Sequence, residues 1–201
     1  LGRCQMTSYS FNPIGLIHSC FREKFGIPRQ PGLAPAATAE LELLPPYDRG
    51  ESLEGIEAYS HLWISFIFHG VQRDDWKPTV RPPRLGGNRR IGVFASRSTH
   101  RPNPIGLSVV ELLGVEKNKA GRPVLLLGGV DLMDGTPVLD IKPYLPYADS
   151  IPEARAEIAP GRPDLIPVVF EQEVEAQLKA QPELAMHREL IIQVLENDPR
   201  P

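Results

Sequence analysis

The residues best suited to chemistry lie in one loop of this 201-residue chain, the segment Gly-Val-Phe-Ala-Ser-Arg-Ser-Thr-His-Arg-Pro-Asn-Pro-Ile-Gly-Leu at positions 92–107. It leaves an apolar stretch (Ile91, Val93, Phe94) and then carries Arg97, His100, Arg101 and Asn103. Pro102 and Pro104 hold φ at about −65° and push Arg101 and Asn103 out of the α region, so the loop is stiff and extended. Such a loop has little conformational freedom to lose on binding, which suits polar groups that must stay in place. The planar fork of Arg97 matches a carboxylate or a phosphate, and an arginine at a loop turn can equally satisfy loop carbonyls. A second group is Asp140-Ile-Lys142-Pro-Tyr144, whose alternation sets Asp140, Lys142 and Tyr144 on one face of a strand end. That trio fits proton transfer or substrate orientation, and it fits an ion-paired strand end as well. Gln30-Pro31-Gly32 presents an amide and backbone groups at a turn, and Asp134-Gly135 reads first as a turn former. His69, at the end of an apolar run, is either a satisfied core residue or a ligand contact, and His61 is the more structural of the two.

These groups need a scaffold, and composition narrows it. Proline is abundant, 22 residues spread along the chain, which favours short strands and rigid loops over helices. Hydrophobic residues make up 41%, enough for a packed core. No apolar run reaches the ~20 residues of a membrane span, and no signal-peptide layout opens the chain, so a cytoplasmic protein is expected. Leu1–Gln5 precede a plausible initiator, Met6. Cys4 and Cys20 make no disulfide framework, and no cluster has zinc-ligand spacing, so no metal is expected. The net charge is −3, yet residues 73–101 hold eight Arg or Lys against two Asp, an excess of six positive charges. An Arg-rich patch on an acidic chain favours a confined anionic ligand, or else is a solvated face.

Alternation predicts strands at Phe11–Ser19, Ala37–Leu44, Ile91–Ser96, Leu107–Val115, Val124–Leu127 and Thr136–Ile141. Tyr59–His69 is apolar on both faces and is expected to be covered on both sides. Gln72–Arg90 reads as a long basic loop, and Lys117–Arg122 as a hairpin turn. After a proline-rich stretch at 143–167, Val168–Phe170 reads as a further strand, followed by helices at Glu171–Ala180 and Glu183–Glu196. The chain is thus read as mainly β: a single antiparallel or mixed β-barrel domain over residues 6–145, then a small C-terminal α/β appendage over 146–201. No Gly-x-Gly-x-x-Gly fingerprint supports a Rossmann fold.

The loop of residues 92–106 resembles the diagnostic segment of the TrmO (TsaA/YaeB) tRNA methyltransferases. The resemblance extends to Phe25–Gly32, Tyr59–Trp63, Thr79–Gly87 and Asp131–Tyr144, in the family's order over most of the chain. It implies a single-barrel scaffold and transfer of a methyl group from S-adenosylmethionine to N6 of threonylcarbamoyladenosine, at position 37 in the tRNA anticodon loop. It implies a cofactor pocket built from Gln30, Pro31, Gly32, His69, Gly70, Arg97, Leu107, Asp134, Gly135, Thr136 and Pro137. It also implies a homodimer with the pocket near the subunit interface, and a chain that continues past the Asp198-Pro-Arg-Pro201 segment. On that reading Asp140 or Tyr144 accepts or relays the N6 proton, while Arg97 and Arg101 orient carboxylate or phosphate. Asn103 and Lys142 stand on the substrate side. The anticodon stem-loop then meets Arg81, Arg84, Arg89 and Arg90 through phosphates and Trp76, Tyr144 or Tyr147 through stacking. Two other readings stand beside it, a non-catalytic nucleotide- or tRNA-binding barrel and a regulatory protein-interaction module.

Overall fold

Strands whose side chains alternate between core and solvent close into a barrel. The computed structural model describes residues 7–71, 76–82, 89–156 and 159–200. The strands are β1 (Gly15–Ser19), β2 (Thr38–Leu43), β3 (His61–Ile67), β4 (Thr79–Val80), β5 (Ile91–Gly92), β6 (Ile105–Lys117), β7 (Pro123–Gly128) and β8 (Pro137–Pro143). Six of them form a closed antiparallel barrel in the order β1-β2-β7-β6-β3-β8, while β4 and β5 pair separately. Closure leaves no free sheet edge. β2 follows the expected pattern: Ala39, Leu41 and Leu43 face the core, and Glu40 stays wet. Ile17, Leu62, Ile64, Phe66, Val110, Leu125, Leu127 and Val138 complete the interior.

β6 puts a glycine where its neighbours put large side chains. A Cβ on Gly106 would lie 2.8 Å or less from three ring atoms of Phe66, its partner on β3. The ring therefore covers the glycine backbone, and no larger residue fits there.

Several expectations need correction. Ile91–Ser96 is a strand only at Ile91–Gly92; residues 93–95 form a 3-10 turn with Val93 buried. The basic segment 72–90 contains β4, which pairs with β5 through Thr79↔Gly92 and Val80↔Ile91. β3 is covered on one side only: Leu62, Ile64 and Phe66 are buried, while His61 is exposed and Trp63, Ser65 and Ile67 are half-buried. Residues 168–170 are irregular, so the C-terminal part is helical, with α1 (Pro146–Asp149), α2 (Gln172–Ala180), α3 (Pro182–Ala185) and α4 (Arg188–Glu196). The predicted helix 183–196 breaks at Met186–His187. α4 docks on the barrel: Leu190 and Val194 touch the core, Gln193 Oε1 accepts from Ala36 N at 2.8 Å, and Asn197 Nδ2 donates to Leu33 O at 3.0 Å. Among the described residues no helix is long and apolar enough to cross a membrane.

Candidate active site

One mouth of the barrel, where β1, β3 and β7 end and β6 and β8 begin, gathers most of the predicted cofactor residues. The turn before β8 is stitched to the end of β1. Asp134 Oδ1 accepts from Ser19 N at 3.0 Å, Asp134 N donates to Phe21 O at 2.8 Å, and Gly135 N donates to Ile17 O at 2.8 Å. Thr136 is buried and donates through Oγ1 to Met133 O at 2.6 Å. Asp134 is thus a turn former first, as its residue type suggests. Gly135 takes φ +74°, and a Cβ there would stand 3.9 Å from His69 Nε2. A Cβ on Gly70 would meet Met133 Cε at 2.7 Å. His69 and Gly70 therefore border the same turn, which runs on into Pro137 at the start of β8.

On the other side of this mouth, Gly32 N donates to Gly129 O at 2.8 Å, tying the Gln30-Pro31-Gly32 turn to the end of β7. The Gln30 amide Nε2 donates to Arg29 O at 2.5 Å, and its Oε1 accepts from Arg97. Arg97, exposed and with no hydrogen bond to a carbonyl among the described residues, is held by Gln30 and by the field of Asp131. Arg101 takes the loop-bracing role instead: its Nη1 donates to Ser96 O at 2.8 Å and lies 3.4 Å from Val93 O and from Ser98 O. Asn103 is exposed at the loop's far end, with Ile105 N donating to its carbonyl at 2.7 Å.

Two functional candidates escaped sequence reasoning, Ser108 and Asp131. Ser108 occupies an inward position of β6 and is 2% exposed; its Oγ donates to Asp131 Oδ1 at 2.7 Å. Burial pushes the Asp131 carboxyl up to about 6, against the opposing pull of Ser108 and the Arg97 charge. The signal was present: in Gly106, Ser108, Val110 and Leu112, a hydroxyl at a core position demands a partner.

Other predicted residues lie outside the mouth. Leu107, 56% exposed, projects from the outer face of β6, opposite Ser65. Asp140 and Lys142 also face outward, opposite Ser65 and Trp63, and form an ion pair with each other. Tyr144 packs its ring 6.1 Å from Trp63 and 6.4 Å from His61. The alternation of Asp140, Lys142 and Tyr144 thus held, but it displays them on the wall and not in the mouth. Arg81, Arg89 and Arg90 are exposed just past the β4–β5 ladder, and Trp76 is exposed before it. Arg84 lies outside the described residues. A separate cleft of about 620 Å³, lined by Tyr47, Arg49, Leu53 and Tyr59 among others, opens at the opposite end of the barrel and shares only Asp140 with the predicted set. It lacks the predicted turn and loop residues that gather at the mouth. Among the described residues, no group of His, Cys, Asp and Glu could hold a metal ion.

The N-terminal domain of tRNA-methyltransferase O matches residues 16–150 of this chain. The chain belongs to that family. The matched span takes in the whole TrmO barrel except the first residue of β1, together with the mouth and the outer wall. A tRNA (adenine(37)-N6)-methyltransferase of Escherichia coli (strain K12) is 53% identical over 201 residues, 98% of this chain and 84% of that protein. A putative S-adenosylmethionine-dependent methyltransferase, RcsF, of Pseudomonas aeruginosa is 55% identical over 196 residues, 96% of this chain and 83% of that protein. The crystal structure of TrmO from Pseudomonas aeruginosa superposes with a TM-score of 0.76 at 48% identity, covering 98% of this chain and 85% of that one. The TrmO barrel is therefore the scaffold here, as the five sequence blocks implied.

Proposed function

We propose that this chain methylates N6 of adenine 37 in tRNA, with S-adenosylmethionine as methyl donor and the threonylcarbamoylated base of the anticodon loop as substrate. The family and its tRNA-methylating relatives support the reaction. The observation that carries the site is the convergence of Arg97, Gln30 and Asp131 on one barrel mouth. The donor set fits the cofactor. Arg97 offers a planar fork to the methionyl carboxylate, and Gln30-Pro31-Gly32 an amide and a tight turn. His69, Gly70 and the Asp134–Pro137 turn close the other side. When bound, the cofactor supplies a methyl group on a sulfonium. The chain's part is to orient both ligands and to find a place for the N6 proton.

The outer face of β3 and β6 supports a homodimer. Trp63 pairs with Val109, Ser65 with Leu107 and Ile67 with Ile105 across it, and Ile105 and Leu107 are exposed. This apolar wall borders the mouth at Ile67–His69, so a second copy laid on it would bring Leu107, Asp140, Lys142 and Tyr144 to a shared cleft. A monomeric mass in solution at micromolar concentration would contradict the dimer. Work on tRNA fits a cytoplasmic location.

The basic ribbon past β4 and β5 is assigned to phosphate contact. Changing Arg81, Arg89 and Arg90 together to Ala is expected to reduce the slope of log affinity against log salt by about 2, at roughly 0.7 for each single-strand phosphate no longer neutralised. Filter binding of an anticodon stem-loop across a salt series measures it, and an unchanged slope would remove the ribbon from the tRNA path.

The reaction itself is tested with labelled cofactor and two tRNA pools, one carrying and one lacking the threonylcarbamoyl group. Label should enter only the first. Cofactor binding without transfer to either pool would favour the non-catalytic barrel.

A further inference from the structure

Asp131 sits in the segment joining β7 to β8, where the chain crosses the mouth. One carboxylate oxygen is held by a buried hydroxyl, Ser108 Oγ at 2.7 Å. Among the described residues no other side chain donates to this carboxylate, which also draws on its own backbone N–H, and the residue is half-buried. The charge facing it is Arg97, anchored on Gln30 from the loop after β5. Around the adjoining turn stand His69 from the end of β3, Lys24 from the loop after β1, whose Cε comes within 3.6 Å of a Cβ built on Gly70, and Asp134 itself. A half-buried carboxylate held by a single hydroxyl, beside a fixed cation, has the form of a positioned base.

We propose that Asp131 is the proton acceptor of the methyl transfer, its carboxylate taking the N6 proton of the modified adenine. This rests on the methyltransferase reading above. The N6 lone pair is delocalised into the purine ring and the carbamoyl carbonyl, so the nitrogen attacks well only as its proton leaves. The proton passes to the Asp131 carboxylate while nitrogen gains the methyl group and the sulfonium becomes a neutral thioether; the carboxylic acid then returns the proton to water. An ordinary carboxylate is too weakly basic for this near neutrality, whereas Asp131, lifted to about 6 by burial, is matched to it. Of the two acceptors the resemblance suggests, Asp140 is ion-paired with Lys142 on the outer wall, and Tyr144 stacks beside Trp63 on the same wall.

Three variants test the assignment. Asp131→Asn is expected to lower kcat about 10²–10⁴-fold while binding of the product cofactor, S-adenosylhomocysteine, persists. The wild-type rate should fall on the acid side near pH 6; Ser108→Ala removes a bond that lowers the carboxyl's proton affinity and should move that limb upward. Stability separates chemistry from architecture. The folded carboxyl holds its proton more tightly than the unfolded one, so wild-type stability declines as pH rises from about 4 through 6. Asp131→Asn removes that decline and should be more stable than wild type above pH 6, and equal to it below about pH 4. A purely structural Asp131 would make the variant less stable at every pH. Full activity of Asp131→Asn, or loss of the acid limb in Asp140→Asn in its place, overturns the proposal and leaves the methyltransferase reading standing. Wild-type protein that methylates no tRNA overturns both.

Discussion

Replacing Arg97 with Ala is expected to lower kcat/KM for the cofactor about 10²–10³-fold, the scale of deleting one preorganised hydrogen-bond donor from an active site. The reason is geometric. Arg97 is the one loop arginine aimed at the mouth: Gln30 Oε1 holds it from the side and Asp131 draws it electrostatically. Lys keeps a charge but lacks the planar fork, so Arg97→Lys should recover only part of the loss. A second readout follows from the linkage. The Arg97 charge lowers the proton affinity of Asp131, so its removal should shift the acid limb of the rate profile upward, in the direction expected for Ser108→Ala. Separate measurement of kcat and KM for cofactor, with the pH profile, checks both. Unchanged kinetics would move the cofactor away from this mouth, toward the cleft at the barrel's far end.

The second large effect is on folding. Gly106→Ala is expected to destabilise the barrel by about 1–3 kcal/mol, the usual cost of overpacking a filled core. The added Cβ would lie 2.8 Å or less from three atoms of the Phe66 ring, and Phe66 is itself buried and packed edge-on against Phe68 at 5.1 Å. The ring cannot simply swing aside. Phe66→Leu in the same chain should recover part of the loss, because the smaller side chain vacates the space the methyl needs. A double-mutant cycle by chemical denaturation gives the coupling between the two positions. Strict additivity would mean the clash is relieved by backbone movement and not by Phe66. The site should suffer along with stability, since Ser108 is two residues on and shares the inward face.

Much of the barrel was legible in the residues themselves. The run from Ala39 to Leu43 announced its own buried face, and the Gly121 turn closed the β6–β7 hairpin as its chemistry suggests, with Asn118 Oδ1 accepting from Ala120 N and Arg122 N at 3.0 Å. β3 misled because Trp63 and Ile67 are apolar although they line an outer wall; a side chain's hydrophobicity says that it needs cover, not which chain supplies it. The loop at 97–103 was found, but the roles of its two arginines were not separable from their spacing. Arg101 turned back on the loop carbonyls, and Arg97 turned to Gln30.

By itself the sequence determined the secondary structure of the barrel, the stiff arginine loop and the family, since alternation, proline geometry and motif order are properties of neighbouring residues. Only the tertiary structure decided which polar groups meet. Ser108 finds Asp131 across 23 positions and Arg97 finds Gln30 across 67, because closing the barrel brings strand ends together at one mouth. The same closure sends Asp140 and Leu107 to the outside: with a period of two, one residue's step along a strand is the thickness of the wall.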